Sequence, residues 1–343
     1  MQETPVESNL RLVAIPNWAK RSVKPRLASA PLVASLVICA HNEENNIGQL
    51  LTRLSADTSD IDLEILVVSS STDSTDMVVR FCALIDKRIR LIRQPARLGK
   101  ANALSLAISH SRAAVVVFLD ADTIPLPFAM QFILTPFAFD PSLGVLTGSV
   151  RAINANQSVI SRASSLLRDS HDELCIMLSR NGRPSKVNGT FFAARREIIE
   201  TVPSDTVSDD EFISHCALTK GYRVDFSPKA VVEVVDPFII TDFIARRVRI
   251  LMGHFWLTKR YGHKIPTTFF LLGLVCLFRA VKNGPNRLRI LPLTMLLEFI
   301  SRTIAMVRVW FGQVPYVYRI ENTKMVPTAE EQTLLVIGRK GGA

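Results

Sequence analysis

Apolar residues along the first half of the chain recur in two alternating ways. Leu32 to Cys39 (LVASLVIC) is a short continuous run, whereas Asn45 to Leu54 sets Ile47, Leu50, Leu51 and Leu54 three or four residues apart. The run reads as a buried strand and the spaced set as one face of a helix. The alternation continues with a strand over Ile61 to Val68 and a polar turn, Ser71-Thr72-Asp73-Ser74-Thr75, able to cap a helix from Asp76 to Ile85. A short strand over Ile89 to Ile92, a helix over Lys100 to His110 and a fully buried strand over Ala113 to Leu119 follow. Beyond lie a strand from Leu143 to Ser149, a long helix from Ser158 to Leu178, and the stretch Asn188-Gly189-Thr190 leading into Phe191 to Arg196. Ser208-Asp209-Asp210-Glu211 opens a last helix of this part, and Lys220-Gly221 stops it. Strands and helices joined by short links predict an α/β domain with a mostly parallel central sheet covered on both faces.

The pattern changes after residue 240. Pro266 to Phe278 is uncharged over 13 residues, short of the roughly 20 that a spanning helix needs, and is expected to be interfacial, re-entrant or a core helix. Leu293, Leu296, Leu297, Ile300, Ile304, Val307 and Phe311 make one stripe of a further helix, with Thr294, Glu298, Ser301, Arg302 and Arg308 on the other side. That helix is amphipathic, and Glu298 and Arg302 are spaced to pair.

Composition and charge sharpen this division. At 343 residues and 48% hydrophobic content the chain can bury one large core or two smaller ones. Its net charge of +10 is unevenly placed: Met1 to Asp242 carries 25 Lys+Arg against 27 Asp+Glu, and Phe243 to Ala343 carries 16 against 4. Charge alone does not choose between nucleic acid, anionic lipid and phosphorylated substrate, but the apolar helices beside it favour a membrane surface over nucleic acid. If both helices crossed as a hairpin, Lys282, Arg287 and Arg289 would be exported with the connection, against the positive-inside tendency. The expectation is therefore two C-terminal helices lying on the cytoplasmic face of the membrane, peripheral or shallowly inserted. The alternative is an ordinary helical subdomain packed on the soluble part. Five scattered cysteines without a CxxC or Cys/His cluster favour neither a zinc site nor a disulfide framework, and suit a reducing compartment. The expected layout is a lead-in without a long apolar core over 1–31, a catalytic domain over 32–240, a basic interfacial helical segment over 241–313 and a tail over 314–343. The catalytic domain divides into a nucleotide-binding half, 32–125, and an acceptor-side half, 126–240.

The candidate chemistry begins where the run Ala113 to Leu119 ends in Asp120-Ala121-Asp122. Two carboxylates at the carboxyl end of a buried strand stand where open α/β sheets bind ligands, although alone they could form a turn. Neither GxGxxG nor a Walker A sequence is present, so phosphates must be held otherwise. Asp209, Asp210 and Glu211 are a second acidic cluster, which alone would read as helix capping. Arg246, Arg247 and Arg249 are either ligand-binding or a lipid-facing basic face. His254 reads either as an interfacial histidine or as a helper of the arginines at a diphosphate, His41 as a structural or edge residue, and His171-Asp172-Glu173 as an exposed helix face, on a helix that could border an acceptor.

Taken in order, these segments resemble the family 2 glycosyltransferases, inverting enzymes of the GT-A fold, over Pro31 to Gly253. SLVICAHNEENNIGQLL is similar to the family's first strand and its Asn-Glu exit, here Asn42 and Glu43. SSSTDST resembles its Gly-Ser-Thr-Asp turn, LGKANAL its Gly-Lys helix start at Gly99 and Lys100, and Asp120-Ala121-Asp122 its DxD motif. Asn188-Gly189-Thr190 with Arg195-Arg196 looks like the sugar-pocket wall, Ser208-Asp209-Asp210 the acidic motif, and Arg246-Arg247-Val248-Arg249-Ile250 a QxxRW-type segment.

The resemblance implies transfer of a sugar from a nucleotide donor, a UDP-sugar by family default, to a glycan or lipid-linked acceptor hydroxyl. It implies Mg²⁺ or Mn²⁺ at Asp122, assisted by Asp120, and a general base at Asp210, with Asp209 as the close alternative. Donor binding falls to Ala40, Asn42, Glu43, Ser69, Ser70, Asp73, Gly99, Lys100, Asp120, Asp122, Gly189, Arg247 and Arg249. Two departures stand out. Val68-Ser69-Ser70 lacks the aspartate that commonly recognises the base, and Arg246 and Ile250 replace the glutamine and tryptophan of the QxxRW segment, which favours a single-sugar transferase over a processive polymerase. Alternatives are a polyprenyl-phosphate sugar synthase of the same fold and a non-catalytic nucleotide-sugar-binding protein.

Overall fold

The computed structural model describes residues 34–199, 201–266, 270–282 and 287–313; the expected lead-in and tail lie outside them. Strands β1 (Ala34–Ala40), β2 (Leu63–Ser69), β3 (Ile89–Arg93) and β4 (Val115–Asp120) alternate with helices α1 (Ile47–Asp57), α2 (Thr75–Ile85) and α3 (Lys100–His110). Apolar side chains explain the burial on both faces. Leu36 and Ile38 of β1 and Val117 and Leu119 of β4 enter one core with α1, while Val37, Val116 and Phe118 enter the other beneath α3. Each such buried side chain contributes roughly 1.5–3 kcal/mol.

The chain continues through β5 (Ile124–Pro125), α4 (Ala129–Phe139), β6 (Leu143–Ala152), α5 (Val159–Arg180), β7 (Phe191–Arg195), α6 (Asp209–Thr219) and β8 (Arg223–Val234). All the strands join one eight-stranded sheet in the order β3-β2-β1-β4-β7-β6-β8-β5. β1 runs parallel to β2 and β4, β2 to β3, and β6 to β8, while β7 is antiparallel to β4 and β6, and β5 to β8. The sheet is therefore mixed, parallel through the first half of the chain and reversed at β7 and β5. Its strand order turns at β1, whose carboxyl end lies beside that of β4, with Cys39 opposite Asp120. That crevice is the switch point at which such sheets bind ligands.

Helices α7 (Ile240–Tyr261), α8 (Phe270–Val281) and α9 (Arg287–Trp310) complete the described chain. α9 packs on α7 through Val248, Leu251, Met252 and Ala305, and α8 packs on α5 and α9 through Leu166, Leu277, Ala280 and Leu291. The amphipathic pattern of α9 is present, but much of it is turned over. Thr294, Glu298 and Ser301, expected on the outer side, are buried, whereas Leu296, Phe299, Met306, Val307, Trp310 and Phe311 are exposed.

Local bonding explains the inversion. The Thr294 and Ser301 hydroxyls donate back to the Ile290 and Leu297 carbonyls, and Glu298 accepts two bonds from Arg247, at 2.8 and 2.7 Å, and one from Arg302 at 2.9 Å. The buried polar side chains Thr294, Glu298 and Ser301 thus each have a partner, as buried polar groups require. Glu298→Gln removes the charge that two half-buried guanidinium groups share, and is expected to cost about 3 kcal/mol. Thermal unfolding of the variant reads this, and an unchanged Tm would show that the cluster does not hold α7 to α9.

Candidate active site

The crevice opens into a cavity of about 720 Å³ that reaches from the carboxyl ends of β1 and β4 to α7, α8 and α9. Lys100, the first residue of α3, lines it. Its Nζ donates to Asp120 Oδ1 at 2.8 Å and lies 3.6 Å from Asp209 Oδ2. Burial would lower the lysine pKa, but the two carboxylates outweigh it and hold the ammonium well above its ordinary value. Lys100 is thus a fixed positive charge between the strand-end acids and the α6 acids.

The α6 acids divide by environment. Ser208 makes no side-chain cap, and Glu211 accepts from Val187 N at 3.0 Å and faces His263 Nε2 at 3.1 Å, so the cluster is more than a capping device. Asp209 is buried beside Lys100, with one carboxylate oxygen that accepts no hydrogen bond. Asp210 is half-buried, and desolvation, opposed by Lys186 but reinforced by Asp209 and Glu211, raises its pKa to about 7. A carboxylate poised near neutrality can take a proton at physiological pH.

Two glycines permit this arrangement. A Cβ on Gly189 would lie 3.1 Å from Asp210 Oδ2, and one on Gly253 would lie 2.3 Å from Ser208 Oγ. Gly189 lets the wall before β7 approach the carboxylate, and Gly253 lets α7 seat against the loop that carries it.

Most of the expected residues meet here. Ala40, Glu43, Ser70, Gly99, Lys100, Asp120, Asp122, Gly189, Asp209, Asp210, Arg247 and Arg249 all line the one cavity. Asn42, Ser69 and Asp73 stand outside its lining among the described residues. Asn42 and Asp73 instead tie the loop after β1 to the loop after β2, and Ser69 ties the end of β2 to the start of α2. Asn42 N donates to Ser71 Oγ and Thr72 N to Asn42 Oδ1, Asp73 accepts from Glu44 N and Thr75 N, and Ser69 Oγ donates to Asp76. Asn42 has a left-handed φ of 57°, which asparagine tolerates. Arg247 lines the cavity while bound to Glu298, a partner 51 residues away in sequence.

Several lining residues carried no clear signal in the sequence. His171, expected on an exposed helix face, lines the cavity, as does His41, whose Nδ1 lies 2.9 Å from Ser70 O. His254 is buried at the α7 wall; burial first, then Lys186, Arg247 and Arg302, pushes its pKa well below the usual value and keeps the ring neutral. Lys186 and Arg168 also face the cavity. Only their position just before the Asn188-Gly189 wall, or on the long helix α5, could have suggested it.

No group of three or more His, Cys, Asp or Glu side chains able to hold a metal by itself occurs among the described residues. Asp120, Asp122 and the buried Asp209 oxygen do offer hard oxygen donors to one cavity. Such a set fits Mg²⁺ or Mn²⁺ where phosphate and water oxygens complete the shell.

Sheet order, switch-point crevice and paired acidic clusters are those of a GT-A fold. Residues 35–203 match the model of glycosyl transferase family 2. It is 28% identical over 261 residues to the probable glycosyltransferase YdaM of Bacillus subtilis, covering 72% of this chain and 60% of that protein. It is also 26% identical over 224 residues to a poly-beta-1,6-N-acetyl-D-glucosamine synthase of Staphylococcus aureus, covering 64% of this chain and 54% of that one. The chain thus spans only a little over half the length of these relatives. Among solved structures, the mannosyltransferase PcManGT of Pyrobaculum calidifontis, in complex with GDP-Man and Mn2+, matches with a TM-score of 0.62 at 21% identity, over 83% of this chain and 89% of that one. At that identity the likeness is one of fold.

Proposed function

We propose that the enzyme transfers a sugar, with inversion at the anomeric carbon, from a nucleoside-diphosphate donor to an acceptor hydroxyl at the cytoplasmic membrane surface. The observation that carries this is the poise of Asp210, near neutrality and in the same cavity as Asp120, Asp122 and Lys100. Asp210 accepts the acceptor proton as the oxygen bonds to the anomeric carbon. The bond from that carbon to the phosphate oxygen breaks, and the nucleoside diphosphate leaves with its electron pair. Lys100 meets the negative charge that develops on the leaving group. A divalent cation held by Asp122 and Asp120 would supply further electrostatic stabilisation there. One displacement needs no covalent intermediate. A purely binding role is disfavoured by a general base that binding does not require.

Uridine is the family default for the base. Ser70, with its hydroxyl 3.2 Å from His41 Nδ1, is the polar group of the β2 exit that lines the cavity where that base would lie. The relative named as a poly-beta-1,6-N-acetyl-D-glucosamine synthase supports a role in polysaccharide synthesis. The test is a transfer and hydrolysis screen of several nucleotide sugars with Mn²⁺, together with mass spectrometry of any nucleotide sugar retained on purification. Release of nucleoside diphosphate from none of them would remove the transferase reading.

Membrane contact rests on the outward apolar face of α9, where Trp310 and Phe311 are 86% and 74% exposed, within a basic segment suited to anionic lipid. The helix itself, 24 residues long, is apolar enough to cross a membrane, a property that core helices share. Sedimentation with anionic vesicles is expected for the full chain, and a Trp310→Gln/Phe311→Gln variant is expected to remain largely in the supernatant. Equal sedimentation of both would remove this contact.

A further inference from the structure

Glu211 is the acid of the α6 cluster that the transfer chemistry leaves unused. It is also the most deeply buried of that cluster, at 1% exposed, and unlike Asp209 and Asp210 it is absent from the cavity lining among the described residues. A carboxylate withdrawn from water is costly, and an apolar side chain of similar size would fill the place at less cost. What Glu211 gains there is a pair of partners on two other segments. Its Oε1 accepts from Val187 N at 3.0 Å and stands 3.9 Å from Lys186 Nζ, both just before β7. Its Oε2 faces His263 Nε2 at 3.1 Å, just past the end of α7.

Both ends of this bridge are themselves held. Lys186 Nζ donates to Val187 O at 3.0 Å, and Asn188 N donates to Thr147 Oγ1 of β6 at 2.9 Å. Gly262 closes α7 in the left-handed region, with φ 68°, and His263 O accepts from Thr258 Oγ1 at 2.8 Å. The His263 ring is backed by that of His215 on α6, with ring centres 5.2 Å apart. The imidazole is therefore a placed partner rather than a loose one.

The bridge reaches the tightest point of the site. Val187 lies two residues before Gly189, where an added Cβ would stand 3.1 Å from Asp210 Oδ2. Asp210 and Glu211 are consecutive on α6. The backbone that faces Asp210 and the peptide N–H that Glu211 holds thus belong to one short segment.

We propose that Glu211 and His263 are positioning residues for the transfer: the carboxylate, steadied by the imidazole on its far side, holds the Val187 to Gly189 wall against α6 and so fixes where Asp210 stands toward the reacting hydroxyl. The inference rests on the transferase reading and adds to it a pair that touches no substrate. Glutamine at 211 can keep both contacts, its carbonyl oxygen toward Val187 N and its amide toward an imidazole nitrogen, whereas alanine keeps neither. Position, more than charge, is what the pair supplies.

Three measurements on the full chain test this. Release of nucleoside diphosphate from the nucleotide sugars of the transfer screen, with Mn²⁺, gives kcat. Isothermal titration with UDP or GDP and Mn²⁺ reads the donor site apart from turnover, and hydrogen–deuterium exchange reads the wall. Glu211→Ala is expected to lower kcat about thirtyfold and to speed exchange in the peptide over residues 185–191 about tenfold, with nucleotide affinity within about twofold of the wild type. Glu211→Gln is expected to keep kcat within about threefold of the wild type, because it keeps the geometry. His263→Ala leaves Val187 N its acceptor but frees the other carboxylate oxygen, and is expected to lower kcat about fivefold. If Glu211→Ala does not fold, His263→Ala, at the less buried position, decides the same question.

Faster exchange or a lower Tm with kcat unchanged overturns the inference and leaves the pair as a contact of the fold. A Glu211→Gln variant as slow as Glu211→Ala overturns it as well, since charge and not position would then act. Weaker nucleotide binding in step with the lost rate overturns it in favour of a role in holding the donor. If the wild type releases nucleoside diphosphate from none of the sugars, the transferase reading fails and takes this inference with it. If the wild type turns over and the alanine variants match it, only this inference fails.

Discussion

Asp210→Asn lowers the transfer rate about 10³-fold while leaving donor affinity nearly unchanged, because asparagine keeps the shape of the side chain but cannot take the acceptor proton. Initial rates at saturating donor and acceptor measure this. Asp209→Asn, which removes a partner of Lys100 at 3.6 Å rather than the base, acts chiefly on donor affinity. Should the two variants exchange these signatures, the roles of the neighbouring acids are reversed. The pH dependence follows from the same group. With the Asp210 pKa raised to about 7, kcat/KM rises with pH through about 7 and levels off above it, since the ionised form is the active one.

Stability moves the other way. An unfolded aspartate releases its proton near pH 4, so between there and about 7 the folded state holds a proton that the unfolded state has lost. The stabilisation carried by protonated Asp210 is complete below the unfolded value and is lost as pH rises through the folded one. Asp210→Asn is then more stable than the wild type at pH 8, by on the order of 2 kcal/mol, and a higher Tm at pH 8 together with lost activity is the expected result. The raised pKa thus costs stability for function.

Asp122→Asn produces the second large effect, a rate lower by roughly 10²–10³-fold, with a much higher Mn²⁺ concentration needed for half-maximal activity. The side chain is half-buried just past the end of β4, so the fold tolerates the change and circular dichroism remains as in the wild type. Chelation by EDTA abolishes wild-type activity, and Mn²⁺ or Mg²⁺ restores it. Equal rates with and without EDTA would exclude a divalent ion from the reaction and leave Lys100 as the principal counter-charge.

The first half of this fold is readable from sequence because its strands are buried on both faces and its helices on one, so hydrophobic spacing reports both. α3 runs from Lys100 to His110 as the spacing predicts, and β4 carries its carboxylate at its last residue, Asp120. Elsewhere the local signal is broken. Pro136 lies inside α4, and Pro228 and Lys229 interrupt β8, a strand paired with β6 across a register shift. Neither element announces itself by periodicity. The acids Asp120, Asp122, Asp209 and Asp210 and the glycines Gly99 and Gly189 are likewise legible as residues that gather in one cavity, because each stands at or beside the end of a strand or helix that the spacing already marks. The helical end of that cavity is not, since Arg247 and Glu298 lie on separate helices and their pairing decides which face of α9 turns inward. Amphipathy specifies two faces but not which one meets the protein, and tertiary pairing decides that.

The close approach of Gly189 to Asp210 bears on how this site could change. A methyl group there would press on the carboxylate oxygen at 3.1 Å, whereas one at Gly273 would meet no atom of the described residues within 4 Å. The two glycines therefore give the cavity one rigid end and one adaptable end. Variation that enlarges or narrows the α8 end leaves the surroundings of Asp210 alone, so the shape of the cavity can change there without rebuilding the acidic end at α6.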